Sequence, residues 1–192
     1  MREKPPAIGR VKAPPLGTRL DRLDRQLSRH LAVVWPHPRW VCVPLGGLSL
    51  AANYGVLWYV IALIPWLLGE PRPLARALYI AVPVTLVEAT GFLIKLRVSR
   101  PRPPVADPSL RQQIPLPPSK SFPSSHASMA VVGALTVSAM YPAFAPVLAA
   151  LGLALCFSRV YLGVHYLGDV LGGLGYGLVF GLAWTLVVPA PV

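Results

Sequence analysis

His165 and Asp169 stand four residues apart, a spacing that sets both on one helix face. There a carboxylate can hold one ring nitrogen and leave the other free to attack. Upstream, Pro123-Ser124-Ser125-His126 opens an apolar stretch, and a helix starting there offers unpaired N–H groups and a favourable dipole to an anion. Cations converge from three more places. Lys95 begins the run Lys95-Leu96-Arg97-Val98-Ser99-Arg100-Pro101-Arg102-Pro103, Arg111 and Lys120 follow it, and Ser158-Arg159 closes another apolar stretch. Taken singly, each feature has a plain structural reading: a basic loop meets lipid headgroups, a lone His is structural, a lone Asp caps a helix. Together, two histidines, a carboxylate, cations from separate helix ends and an anion-ready helix start point to a phosphoryl-transfer site.

Such residues need elements to carry them, and the chain between them is apolar. No Asp, Glu, Lys or Arg occurs from Trp40 to Gly69, only Glu88 between Leu78 and Ile94, none from Ser121 to Ser158, and only Asp169 from Val160 onward. A helix crosses about 30 Å of hydrocarbon with roughly 20 residues, so these runs predict membrane helices. The stretch 121–158 is too long for one crossing and is expected to turn at Tyr141-Pro142-Ala143-Phe144-Ala145-Pro146. Five spans are predicted, near 45–68, 75–95, 126–145, 146–163 and 165–188. Because irregular backbone in lipid leaves polar groups unpaired, the fold class is an all-α integral membrane bundle. In this arrangement the chemistry-bearing span ends share one membrane face.

Of 192 residues, 54% are apolar and 13% charged, which excludes an ordinary soluble globule. Net charge is +11, and residues 1–40 hold nine basic against three acidic side chains. This is a basic skirt on a membrane body rather than a nucleic-acid surface. Residues 1–15 read as a disordered basic tail and 16–40 as an amphipathic segment preceding a membrane domain over 41–192. In the middle segment Leu20, Leu23, Leu27 and Leu31 recur at helical spacing against Arg19, Arg22, Arg25 and Arg29, with Thr18 and Asp21 spaced as a capping box. That helix lies either on the membrane interface or on the protein's own loops, since amphipathicity does not distinguish the two. A cleavable signal peptide is not expected. Basic residues concentrate in the tail and the 96–125 loop, which places both in the cytoplasm. Gly173, Gly177 and Gly181 recur every fourth residue and predict close helix packing. Cys42 and Cys156 indicate no disulfide framework. Glu88, seven residues before Lys95, is expected to pair with it or with a polar neighbour in preference to substrate.

The motifs and their order resemble the type 2 phosphatidic acid phosphatase superfamily of membrane lipid phosphatases. Lys95, six residues and Arg102-Pro103 match its first motif; Pro123-Ser124-Ser125-His126 matches the second, with Ser125 where that pattern has Gly; Ser158-Arg159, His165 and Asp169 complete the third. By this resemblance His165 is the nucleophile that forms a phosphohistidine, Asp169 orients it, and His126 protonates the leaving oxygen and later activates water. Lys95, Arg102, Arg159, Ser124 and Ser125 would hold the phosphoryl oxygens. Histidine titration is then expected to bound the pH optimum.

The resemblance implies a membrane-embedded phosphatase with no metal, no cofactor and no nucleic-acid partner, acting on a lipid phosphate at the cytoplasmic face of a bacterial inner membrane. Polyprenyl-linked substrates are placed first: a polyprenyl-phosphate-linked sugar phosphate such as decaprenylphosphoryl phosphoribose, or a polyprenyl phosphate or diphosphate. Phosphatidylglycerophosphate and phosphatidic acid come second. A non-catalytic lipid-binding protein or a transporter is the alternative of another class, and self-association into a homo-oligomer stays open.

Overall fold

A computed structural model describes residues 19–110 and 112–191; the basic tail, Thr18 and Arg111 lie outside the described residues. The described chain is helical with no strand: α1 (Arg19–Arg29), continued by a wider helical turn over His30–Val34, α2 (Arg39–Ala51), α3 (Val56–Leu67), α4 (Pro73–Val98), the short α5 (Pro103–Ala106), α6 (Ser125–Met140), α7 (Ala145–Tyr161) and α8 (Leu167–Val187). Among the described residues, Pro73–Ala106, Pro142–Tyr161 and Leu167–Val187 are long and apolar enough to cross a membrane. α2 and α3 qualify jointly as one span bent by 53°. The sequence predicts one straight helix over 45–68; the structure breaks it because Tyr54 and Gly55 take positive φ (54° and 80°), which no α-helix tolerates.

α6 is the axial helix. It has 16 residues and is apolar but shorter than a full crossing, and most of its side chains are buried around the whole circumference, as expected of a helix enclosed by others. α4, α7 and α8 pack around it. The core runs through Trp58, Ile80, Val84, Val87, Met129 and Val132. Large apolar side chains such as Leu63, Leu67, Leu93, Val147, Leu153, Val179 and Leu186 face outward, the surface a bilayer covers.

The glycine ladder of α8 sets the α6–α8 approach. A Cβ built on Gly173 would stand 2.5 Å from the Ser124 carbonyl oxygen, and one on Gly177 would stand 2.6 Å from that of Ser128. Only glycine permits this separation. The close approach carries the start of α6, with Ser124 to His126, against the start of α8, with Asp169, and Ser124 N–H donates to the Asp169 carbonyl at 2.9 Å.

α1 lies across the start of α8 with its polar edge inward. Asp24 accepts from Gly168 N–H (2.7 Å) and Ser28 Oγ from Leu167 N–H (2.8 Å), so α1 supplies partners to first-turn donors that α8 cannot pair itself. Leu20, Leu23 and Leu27 face away from the body, 77%, 45% and 53% exposed. Of the leucine stripe only Leu31 packs inward, against the cluster around Val160 and Val170.

Candidate active site

Helix ends bring the charged residues together. Lys95 ends α4, Arg102 begins the segment after it, Ser124 and Ser125 start α6, Arg159 ends α7, and His165 sits in the short connection to α8. That connection is fixed by the last carbonyls of α7: Leu162 N–H donates to Ser158, and Val164 and His165 N–H both donate to Arg159. Nucleophile candidate and cation are therefore locked to one backbone turn.

His165 is buried, and its two nitrogens face different partners. Nε2 lies 2.9 Å from Arg102 Nη1, while Nδ1 lies 3.4 Å from Asp169 Oδ2 and 3.4 Å from Ser121 Oγ. A guanidinium only donates, so Nε2 must be the acceptor and the ring proton sits on Nδ1, facing the carboxylate. That tautomer puts the lone pair on the nitrogen facing the cations. Burial pushes the imidazole down to about 3, assisted by Arg102 and Arg159 and opposed by Asp169, so the ring is neutral near pH 7.

Asp169 is fully buried and saturated. Its Oδ2 accepts from Tyr166 N–H (2.9 Å) and from the Ser121 hydroxyl, and its Oδ1 accepts from Arg100 Nη1 (2.8 Å). Arg100 in turn bonds Asp24 (2.7 Å) and Asp21 (3.2 Å) of α1. With three carboxylates around it Arg100 is neutralised, whereas the remaining cations are not.

Arg102 donates from Nε to the Ser119 carbonyl (2.8 Å) and from Nη2 to Ser119 Oγ (3.2 Å), while its Nη1 is shared between the Val164 carbonyl (3.0 Å) and the His165 lone pair (2.9 Å). Lys95 Nζ donates to Ser125 Oγ at 2.6 Å, so the serine at the departing motif position is the lysine's partner. Arg159 is 1% exposed; its Nη1 donates to Ser49 Oγ, but its Nε and Nη2 have no partner. Buried unpaired guanidinium donors are costly and call for an acceptor. His126 Nε2 engages the Ser49 carbonyl at 3.0 Å. Ser49 lies in the last turn of α2, where the break before α3 leaves carbonyls without helical donors.

Lys95, Arg102, Ser125, His126, Arg159 and His165 share one cavity of about 360 Å³, walled on the loop side by Ile114 to Ser119. Ser124 is fully buried with an unpaired hydroxyl but does not line it; Asp169 stands behind His165. Among the described residues no group of three or more His, Cys, Asp or Glu is placed to hold a metal ion. Glu88 lines the cavity and attracts Lys95 electrostatically, but among the described residues the two make no direct ion pair, and its Oε2 is buried without a hydrogen-bond partner. Sequence reasoning missed Ser49, Ser121 and Asp24. A serine inside an apolar span carries no periodic signal, and only Ser121, in a serine-rich run beside the second motif, had a local clue.

The sequence pattern of the PAP2 superfamily matches residues 74–191, which contain every one of these cavity cations and both histidines. The chain belongs to the PAP2 superfamily. It is 32% identical over 135 residues to the decaprenylphosphoryl-5-phosphoribose phosphatase of Mycobacterium tuberculosis, covering 70% of this chain and 73% of that protein. It is 30% identical over 130 residues to undecaprenyl-diphosphatase BcrC of Bacillus subtilis, covering 67% of each. The fold is similar to the crystal structure of a transmembrane PAP2-type phosphatidylglycerolphosphate phosphatase from Bacillus subtilis (TM-score 0.71, 22% identity, 88% of this chain and 87% of that one). It is also similar to Aquifex aeolicus LpxE (TM-score 0.70, 20% identity, 85% and 95%). This PAP2 protein is thus an all-helical integral membrane member of a phosphatase family.

Proposed function

We propose that this protein hydrolyses the terminal phosphate of a lipid-linked substrate through a phosphohistidine, without a metal. The supporting observation is the His165 ring, proton toward Asp169 and lone pair toward Arg102, in a cavity that also holds Lys95, Arg159 and His126. An arriving phosphate draws Arg102 off Nε2 and gives the idle Arg159 donors their acceptor. Nε2 then attacks phosphorus, the P–O bond to the substrate breaks, and the leaving oxygen takes a proton from His126. With Nε2–H of His126 donating to the Ser49 carbonyl, the proton that moves is the one on Nδ1, so the ring enters this step as an imidazolium whose second proton arrives with the anionic substrate, and it returns to that form when it takes the proton of water. In the second step water attacks phosphorus, gives its proton back to His126, and releases phosphate from Nε2. Negative charge spreads over the equatorial oxygens in both transition states, where Lys95, Arg102 and Arg159 stabilise it.

Polyprenyl substrates rank first because two relatives are named decaprenylphosphoryl-5-phosphoribose phosphatase and undecaprenyl-diphosphatase. The outward leucines of α1 support an interfacial helix, and the basic residues of the tail and the 96–125 loop support the cytoplasmic side for it and for the site. The test is phosphate release in detergent with and without chelator, from the parent and His165→Ala, together with acid-labile labelling from a ³²P-terminal substrate. Undiminished release by His165→Ala would remove the proposed nucleophile, and loss of activity in chelator would remove the metal-free mechanism.

A further inference from the structure

The cavity has one acidic wall. Glu88 lies on α4 seven residues before Lys95, two turns or about 10 Å deeper along the helix, on the same face. Asn53, Tyr54, Phe92 and Met129 line the same cavity. Its Oε2 is buried with no hydrogen-bond partner, and among the described residues no ion pair includes it; the nearest cation on its own helix, Lys95, donates to Ser125 instead. An unmet carboxylate oxygen at this depth is costly, and a hydrogen-bond donor from a bound molecule relieves it.

The two ends of the cavity therefore ask for opposite chemistry. Lys95, Arg102 and Arg159 accept a group made of acceptors, a phosphate; Glu88 accepts a group that donates. A lipid diphosphate brings only acceptors and more negative charge to both ends. A phosphate monoester whose adjoining carbons carry hydroxyls satisfies both, because a hydroxyl next to the phosphate can turn its proton to the carboxylate. We propose that Glu88 is a substrate-binding residue that accepts a hydrogen bond from a hydroxyl beside the scissile phosphate, and that it selects polyol-phosphate lipids over lipid diphosphates. This rests on the phosphatase reading above and narrows its substrate class.

The experiment compares kcat/KM on five probes in detergent: farnesylphosphoryl-5-phosphoribose, its 2- and 3-deoxy analogues, phosphatidylglycerophosphate and farnesyl diphosphate. Each is assayed with the parent, Glu88→Ala and Glu88→Gln. Glu88→Ala is expected to lose about 10- to 100-fold on the phosphoribosyl probe, the range for one hydrogen bond to a charged group, and to keep or improve its rate on farnesyl diphosphate. Glu88→Gln, which retains an accepting oxygen, recovers part of the loss. One deoxy analogue is expected to be poor for the parent yet equal to the full sugar for Glu88→Ala. The same loss on phosphatidylglycerophosphate would extend the site to glycerol hydroxyls, and its absence there would confine the site to sugars. Equal losses on sugar and diphosphate probes, or a deoxy penalty that survives in Glu88→Ala, would overturn the assignment. A parent that cleaves farnesyl diphosphate alone overturns this inference and leaves the phosphatase reading standing, whereas a parent that cleaves no probe overturns both.

Discussion

Replacing Arg159 by methionine should slow the enzyme and stabilise the protein at once. Arg159 is 1% exposed, and among the described residues its Nε and Nη2 have no partner while Nη1 bonds to Ser49. Each unmet buried donor costs about 1–3 kcal/mol, and the single bond lost on substitution, made by a charged donor, contributes roughly 1.5–3 kcal/mol. With two such donors the balance favours the apolar side chain by about 2 kcal/mol at the middle of these ranges, in line with other replacements of buried charge by hydrophobic groups. When phosphate is bound the ledger reverses. Two charge-assisted bonds worth roughly 1.5–3 kcal/mol each are then missing, which lowers kcat/KM by about 10²–10⁴. The assay pairs phosphate release with thermal unfolding in detergent, with and without inorganic phosphate, which should stabilise the parent and leave Arg159→Met unmoved. A variant that is both slower and less stable would show that the arginine holds the fold rather than the phosphate, and one with unchanged kcat/KM would refute the cradle.

Three shorter expectations accompany it. The folded protein keeps His165 unprotonated until about pH 3, whereas an unfolded chain protonates it near its ordinary value of about 6.5, so acidification from pH 7 to 4 favours unfolding by roughly 3 kcal/mol; His165→Gln should flatten that slope in pH-dependent melting. Arg100→Gln removes the guanidinium that joins Asp169 to α1, and is expected to lower kcat by about tenfold with KM changed less than threefold and partial rescue by Arg100→Lys; an unaltered kcat would sever α1 from the site. Gly173→Ala forces a methyl against the Ser124 carbonyl, and should cost about 1–3 kcal/mol in unfolding while lowering activity through the displaced start of α6; a neutral effect on both would contradict the close α6–α8 approach.

The sequence carried those features whose signal is local. Uncharged runs declared membrane helices, since the cost of a charge in hydrocarbon is paid residue by residue; the spacing of His165 and Asp169 announced the pair, but not as two positions on one helix face, because His165 lies in the connection before α8 and meets Asp169 of its first turn across that bend. Ordered motifs placed Lys95, Arg102, Ser125, His126 and Arg159 at helix ends, and the glycine ladder announced the tight α6–α8 contact. Tertiary structure decided what those residues touch. It broke the first apolar stretch at Tyr54 and Gly55, and so delivered the hydroxyl and carbonyl of Ser49 to Arg159 and His126, residues 110 and 77 positions away. It turned the polar edge of α1 inward to clamp Arg100, gave Lys95 to Ser125, and left Glu88 and Arg159 with unmet atoms in one cavity. The division has one cause: periodicity and capping act between neighbours in the chain, whereas a partner remote in sequence leaves no pattern until packing brings it within hydrogen-bond range.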